Sequence, residues 1–300
     1  MYESFYGYRE RPFNVTPDAR FFFPSTKHRD ALDSLYYAIT QRLGFVVVTG
    51  EIGAGKTTVC RALLKRLPAT TKVAMITNTL VTSRHLMSTI LDEFELPVTE
   101  REPRWRLLNR LNEYLIQALS HDENVVLIID EAQNLTPAVM EEIRLLSNLE
   151  TERVKLLQII LMGQPELRQK LDLPKLAQLK QRIVVAYHLQ PLDLAETRAY
   201  IEHRQRHVGA TESAFNPEAV ELIYGYSHGV PRLINLACER ALVTGYAEQV
   251  KPVTDALMKQ VIDELLPYHA GWRPEVATSP VAVDTLPTAS GPMPAQAQNS

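Results

Sequence analysis

Along the first 190 residues, short apolar runs alternate with stretches whose apolar positions recur every three or four residues. The runs are FVVVT (45–49), VAMIT (73–77), VVLII (125–129), LLQIILM (156–162) and IVVAYHL (183–189). Continuous β-branched runs of this length fit strands covered on both faces, and the helical stretches between them supply the crossovers that parallel strands need. LTPAVMEEIRLLSNL (135–149) starts a helix in the expected order, with Thr136 as cap and Pro137 in the first turn.

From Gln190 onward the strand pattern stops. PLDLAETRAYIEHRQRHVG, NPEAVELIYGYSHG, PRLINLACERALVTGYAEQ and VTDALMKQVIDELLP read as four helices with Gly, Pro and Asn at the joints. The pattern predicts an α/β protein, a three-layer core with a five-stranded parallel sheet followed by a small all-helical lid. Four segments follow. Residues 1–43 form an N-terminal linker and an amphipathic helix (HRDALDSLYYAITQRL) packing on the core. Residues 44–189 form the core, 190–267 the lid, and 268–300 a disordered Pro/Ala-rich tail. No internal repeat is visible.

Composition changes this picture little. Apolar content of 45%, charged content of 22% and a net charge of -3 describe an ordinary globular chain and give no global reason to expect nucleic acid. Cys60 and Cys238 are far apart and have no metal-ligand spacing, so both read as small core residues in a reducing compartment. The apolar runs are all shorter than a membrane span, and MYESFYGYRERPF holds no signal-peptide h-region. The expectation is a cytoplasmic protein that reaches the inner membrane only through partners.

The chemistry concentrates at two strand ends. GEIGAGKTT (50–58) follows the first run and matches Gly-x4-Gly-Lys-Thr, the Walker A pattern. Gly50, Gly53, Ala54 and Gly55 let backbone N–H groups turn inward onto phosphate oxygens, a helix N-terminus adds its dipole, and Lys56, Thr57 and Thr58 complete the cradle. The Thr57 hydroxyl and Asp130 are the expected Mg²⁺ ligands, and the expected ligand of the turn is a nucleoside triphosphate. Asp130 and Glu131 close the third run in the Walker B arrangement, where Glu131 orients and deprotonates the attacking water.

RPFNVTPDARFFF, GFVVVTGEIGAGKTT, IIDEAQNL, LMGQPEL and GVPRLINLACERAL together resemble the ExeA/GspA-type AAA+ ATPases of bacterial general secretion, over residues 1 to 267. The resemblance implies sensor 1 at Gln164, where Asn or Thr is commoner, and sensor 2 at Arg232. It also implies an arginine finger at Arg182 reaching a neighbouring subunit, and a switch role for Asn78 restraining Glu131. It implies a homo-oligomer that hydrolyses ATP to assemble or remodel a secretion, pilus or exopolysaccharide complex. Two alternatives stand beside it: an ATP-dependent DNA-associated regulator of a transposase, and a non-hydrolysing nucleotide switch. The histidines, Arg61, Lys65, Arg66 and the basic RQRH stretch (204–207) are expected to be structural or solvated.

Overall fold

The computed structural model describes residues 1–269, apart from 15, 17, 100, 101 and 153. A short helix α1 (Tyr2–Tyr6) precedes α2 (Thr26–Thr40), β1 (Phe45–Gly50) and α3 (Lys56–Arg66). Then come β2 (Thr71–Ile76), α4 (Ser83–Glu93), α5 (Arg104–Ser120), β3 (Asn124–Ile129) and α6 (Pro137–Leu146). The sheet is completed by β4 (Leu157–Gly163) and, after α7 (Pro165–Leu171) and α8 (Ala177–Lys180), by β5 (Ile183–Leu189). The helical unit comprises α9 (Leu194–His207), α10 (Pro217–Ser227), α11 (Pro231–Ala247) and α12 (Asp255–His269).

All five strands run parallel in the order β2-β3-β4-β1-β5. The central strands β1 and β4 are buried along their whole length, whereas the edge strands β2 and β5 alternate. Strand side chains point alternately to opposite faces. Thus Phe45 and Val47 join the cluster under α4 to α8, while Val46 and Val48 join the one under α2 and α3. The chain steps from β1 out to β2, returns through β3 to β4 beside β1, and then crosses β1 to reach β5. The carboxyl ends of β1, β4 and β3 thus lie side by side at the switch point, where open α/β sheets bind ligands.

Local chemistry sets the helix starts. Thr136 Oγ1 accepts from Val139 N, with Pro137 in the first turn of α6, as its sequence predicts. Asp193 and Glu196 form a reciprocal capping box on α9, and Asn216 caps α10. Cys60 and Cys238 are free and buried, and burial pushes the Cys60 thiol up to about 12.

Residues 1–43, expected to act as one segment on the core, divide between two bodies. Helix α2 lies on the sheet through Ala31, Leu35, Ala38 and Ile39. Tyr2, Tyr6, Tyr8, Phe13 and Phe21 pack instead into the core of the helical unit. The tyrosine hydroxyls explain the choice, because buried hydroxyls need acceptors. Glu239 Oε2 (2.6 Å), Val250 O (3.3 Å) and Gln205 Oε1 (2.9 Å) accept from Tyr2, Tyr6 and Tyr8. Of the tail expected over 268–300, residues 268 and 269 close α12, and the remainder lies outside the described residues.

The joint between β5 and the helical unit depends on Gly229. It sits at φ +78° and accepts a 2.9 Å bond from Leu192 N, and a Cβ there would come within 1.7 Å of the Leu192 carbonyl oxygen. Gly229→Ala is therefore expected to destabilise the fold by at least about 2 kcal/mol, from left-handed strain and a backbone clash with nothing flexible to move. Chemical denaturation measures this; a variant within about 0.5 kcal/mol of wild type would contradict the account.

Candidate nucleotide site

The turn 50–55 joins the end of β1 to α3, whose first residue is Lys56 and whose cap, Gly55, has φ 100°. Gly53, at φ +82°, approaches the helical unit so closely that a Cβ would meet Arg232 Cβ at 2.4 Å, and Gly53 O accepts from Arg232 N (3.3 Å). Lys56 is 6% exposed, and its Nζ donates to Gly50 O (2.7 Å) and Glu51 O (3.0 Å). Burial holds its ammonium below the usual lysine range, against the raising pull of Glu131 and Asp130. A charge held this way is stabilised by any anion delivered to the turn.

The two motifs meet. Thr57 Oγ1 donates to Asp130 Oδ2 at 3.0 Å across 73 positions of sequence. A hydroxyl and a carboxylate side by side beneath an anion cradle form the hard oxygen set that suits Mg²⁺ held jointly with phosphates. Among the described residues no group of three or more His, Cys, Asp or Glu could hold a metal ion, so this pair would need the substrate's oxygens to complete a shell.

Glu131 follows with φ 52°, an uncommon value for a residue with a side chain. Its carbonyl accepts from Thr79 Oγ1 (3.1 Å) and its N–H reaches Asp130 Oδ1 (2.9 Å). Its carboxylate accepts from Gln133 Nε2 (2.5 Å) and Gln164 Nε2 (3.1 Å), while Gln133 Oε1 accepts from Gln164 N (3.1 Å). A cavity of about 350 Å³ brings together Gly53, Gly55, Lys56, Thr57, Thr58, Glu131, Gln164 and Arg232. Its far wall comprises Phe21 to Phe23 and residues of α9 and α11.

An AAA domain model matches residues 39–171. The chain is 43% identical over 247 residues, 82% of its length, to general secretion pathway protein A of Aeromonas hydrophila, and spans 45% of that relative. Solved structures share the fold. The ORC2 protein of Aeropyrum pernix in ADPNP–ADP complexes superposes with a TM-score of 0.62 at 18% identity, covering 85% of this chain and 71% of that one. The RuvB Holliday junction branch migration motor of Thermotoga maritima gives 0.56 at 19% identity, covering 81% and 70%. This chain has the fold of the AAA-type P-loop proteins, with an AAA domain over residues 39–171.

Within this AAA fold the remaining candidates separate. Gly50 ends β1, and Ala54 is buried beneath the turn. Gln164 occupies the N-cap position of α7, with its Nε2 donating to the Glu131 carboxylate. Arg232 stands exposed in the first turn of α11 at the cavity wall. Arg182 precedes β5 at the amino-terminal end of the sheet, about 20 Å of strand away from the phosphate turn, and donates to Ser147 Oγ (2.5 Å). It has no access to its own cavity. Asn78 requires correction as the residue restraining Glu131. It is exposed and its Oδ1 accepts from Leu80 N (3.3 Å), whereas Gln133 and Gln164 hold the carboxylate.

The structure adds residues that the sequence did not single out. His28 is buried on α2, with Nε2 3.0 Å from Ala54 O and Nδ1 2.7 Å from Ser25 Oγ, and burial lowers its pKa. A carbonyl can only accept, so Nε2 donates and the imidazole pins the phosphate turn to α2. No spacing rule links residues 28 and 54. Arg204, expected to be solvated, is buried at 5% exposure. It donates to Pro12 O (2.6 Å), Asn14 O (3.2 Å) and Tyr200 OH (2.8 Å), and lies 4.7 Å from the centre of the Phe21 ring.

Proposed function

We propose that this chain is a magnesium-dependent ATPase whose hydrolysis cycle moves the helical unit against the sheet domain. The observation that carries the reading is convergence. The Lys56 turn, the Thr57–Asp130 pair and the Glu131 carboxylate serve one cavity, closed on its far side by α11. A binding module needs the first two; a second carboxylate, aimed by two glutamine amides, is what turnover adds.

The division of labour follows from the chemistry. Loop amides and Lys56 would stabilise the charge that spreads over the transferred phosphoryl oxygens. Bound Mg²⁺, held by Thr57 and Asp130, supplies further neutralisation of the triphosphate. Glu131 would orient a water and take its proton, with Gln133 and Gln164 fixing the carboxylate's direction. Gln164 and Arg232 would report the γ-phosphate to α7 and α11. Arg182, unable to reach its own site, would act on the nucleotide of an adjacent copy.

The 43% identity to a general secretion pathway protein supports a role in assembling or remodelling a bacterial envelope complex, as a homo-oligomer acting with protein partners. No described helix is long and apolar enough to cross a membrane, which fits attachment at the inner membrane through such partners. The structural neighbours that handle DNA share the fold alone and give no argument for nucleic acid here.

Phosphate release measured across protein concentration tests this reading. Wild type is expected to hydrolyse ATP only with Mg²⁺, with specific activity rising as copies associate. Arg182→Ala should lose that concentration-dependent part, by tenfold or more, while binding ATP normally. A monomeric Arg182→Ala protein as active as wild type would remove the neighbour-facing role; no Mg²⁺-stimulated turnover at any concentration would remove the ATPase reading.

A further inference from the structure

We propose that Asn235 reads the nucleoside of the bound triphosphate, donating from its Nδ2 to a ring nitrogen on the purine edge. This rests on the ATP reading above and assigns the half of the ligand that the phosphate motifs do not touch.

The orientation of the amide follows from a buried relay. A guanidinium can only donate, so the 2.8 Å bond between Arg204 Nη1 and Tyr200 OH makes the tyrosine oxygen the acceptor. The single tyrosine proton then goes to Asn235 at 2.9 Å, and the atom that receives it must be Oδ1. The amide nitrogen is thereby turned to the other side. It has no hydrogen-bond partner among the described residues, although Asn235 is only 6% exposed and lines the cavity. The nitrogen is not one of the fully buried atoms that lack a partner, so it is open to the cavity, where a ligand acceptor can take the place of water.

Position along α11 selects the base as that ligand. Arg232 and Asn235 are three residues apart and share one helix face. Arg232 N touches the phosphate turn through Gly53 O, so Asn235 stands one helical turn beyond the phosphates. The same cavity is walled there by the Phe21 to Phe23 segment, an apolar lining suited to a flat heterocycle. Arg204 is itself fixed by the Pro12 and Asn14 carbonyls, so the relay is rigid before any ligand arrives.

The test uses Asn235→Asp, which keeps the acceptor for Tyr200 and replaces the donor by a second acceptor. Affinities for ATP and for inorganic tripolyphosphate are measured by calorimetry on the whole chain, with 1-, 3- and 7-deaza-ATP and 2′-deoxy-ATP as probes. The variant is expected to lose at least tenfold in ATP affinity and to raise KM similarly, with kcat and tripolyphosphate binding within twofold of wild type. One deaza analogue should bind wild type at least tenfold more weakly than ATP, and bind the variant no worse than ATP does. Tyr200→Phe, which cuts the relay, should weaken ATP and spare tripolyphosphate, and it decides the matter if the Asp variant does not fold. Unchanged ATP affinity in these variants overturns the inference. So does a loss confined to 2′-deoxy-ATP, which would place the contact on the ribose. Wild type binding neither ATP nor tripolyphosphate would instead overturn the nucleotide reading beneath it.

Discussion

Lys56→Ala is expected to lower kcat/KM for ATP by at least about 10³-fold, roughly 4 kcal/mol of transition-state stabilisation. Lys56 is the first residue of α3, its ammonium is held by the carbonyls of Gly50 and Glu51, and it is the buried cation of the phosphate turn. The variant should nevertheless remain folded. Burial lowers the pKa of Lys56 in the folded chain, so the fold favours the neutral amine. Its contribution to stability is therefore lowest when the amine is protonated, and rises as pH climbs from the depressed folded value toward the ordinary lysine value of about 10.4. At neutral pH the protonated side chain costs stability, and alanine relieves that cost.

A bound triphosphate acts in the opposite direction, stabilising the charged amine. ATP at a hundred times its Kd should thus stabilise wild type by about 2.7 kcal/mol and leave Lys56→Ala almost unmoved. Thermal unfolding with and without ATP reads this directly. An alanine variant that still gains the full shift would show that the anion is held elsewhere.

Glu131→Gln should retain ATP and lose between about 10² and 10⁴ in kcat. The amide can keep one oxygen facing Gln133 and Gln164, so the local network survives, but it has no basic oxygen to take a proton from water. Burst-phase and steady-state phosphate release, read beside ATP affinity, separate the two effects. Turnover within threefold of wild type would assign the base elsewhere; lost affinity would make Glu131 part of the binding shell.

Much of this site was legible because its parts are contiguous. A Walker A turn is nine successive residues, and the Asp130–Glu131 pair sits at the end of an apolar run, so both are visible without knowing what they touch. The fold was legible for a similar reason: β1 and β4 are buried on both faces and read as unbroken apolar segments. What failed was parity and distance. The family resemblance implies a switch role for Asn78 at the end of β2, and β2 does neighbour β3. Side chains alternate along an extended segment, however, and the one facing inward to reach the Glu131 carbonyl is Thr79, with Asn78 turned to solvent. Gln133 lies inside IIDEAQNL, yet nothing local shows that its amide meets residue 164. The aromatic start of the chain reads only as a linker, because aromatics suit any core, and the acceptors that meet its hydroxyls decide which core.

The placement of those first residues constrains motion. The polypeptide begins on the helical unit, crosses once to the sheet domain just before α2, and crosses back between β5 and α9. A body tied to another at two points swings like a door on a pair of pins, about the line joining them, and loses the free tumbling that a single tether allows. In the proposed ATPase cycle, closure over a triphosphate would then be confined to one arc, with Arg232 at the face where the two bodies meet.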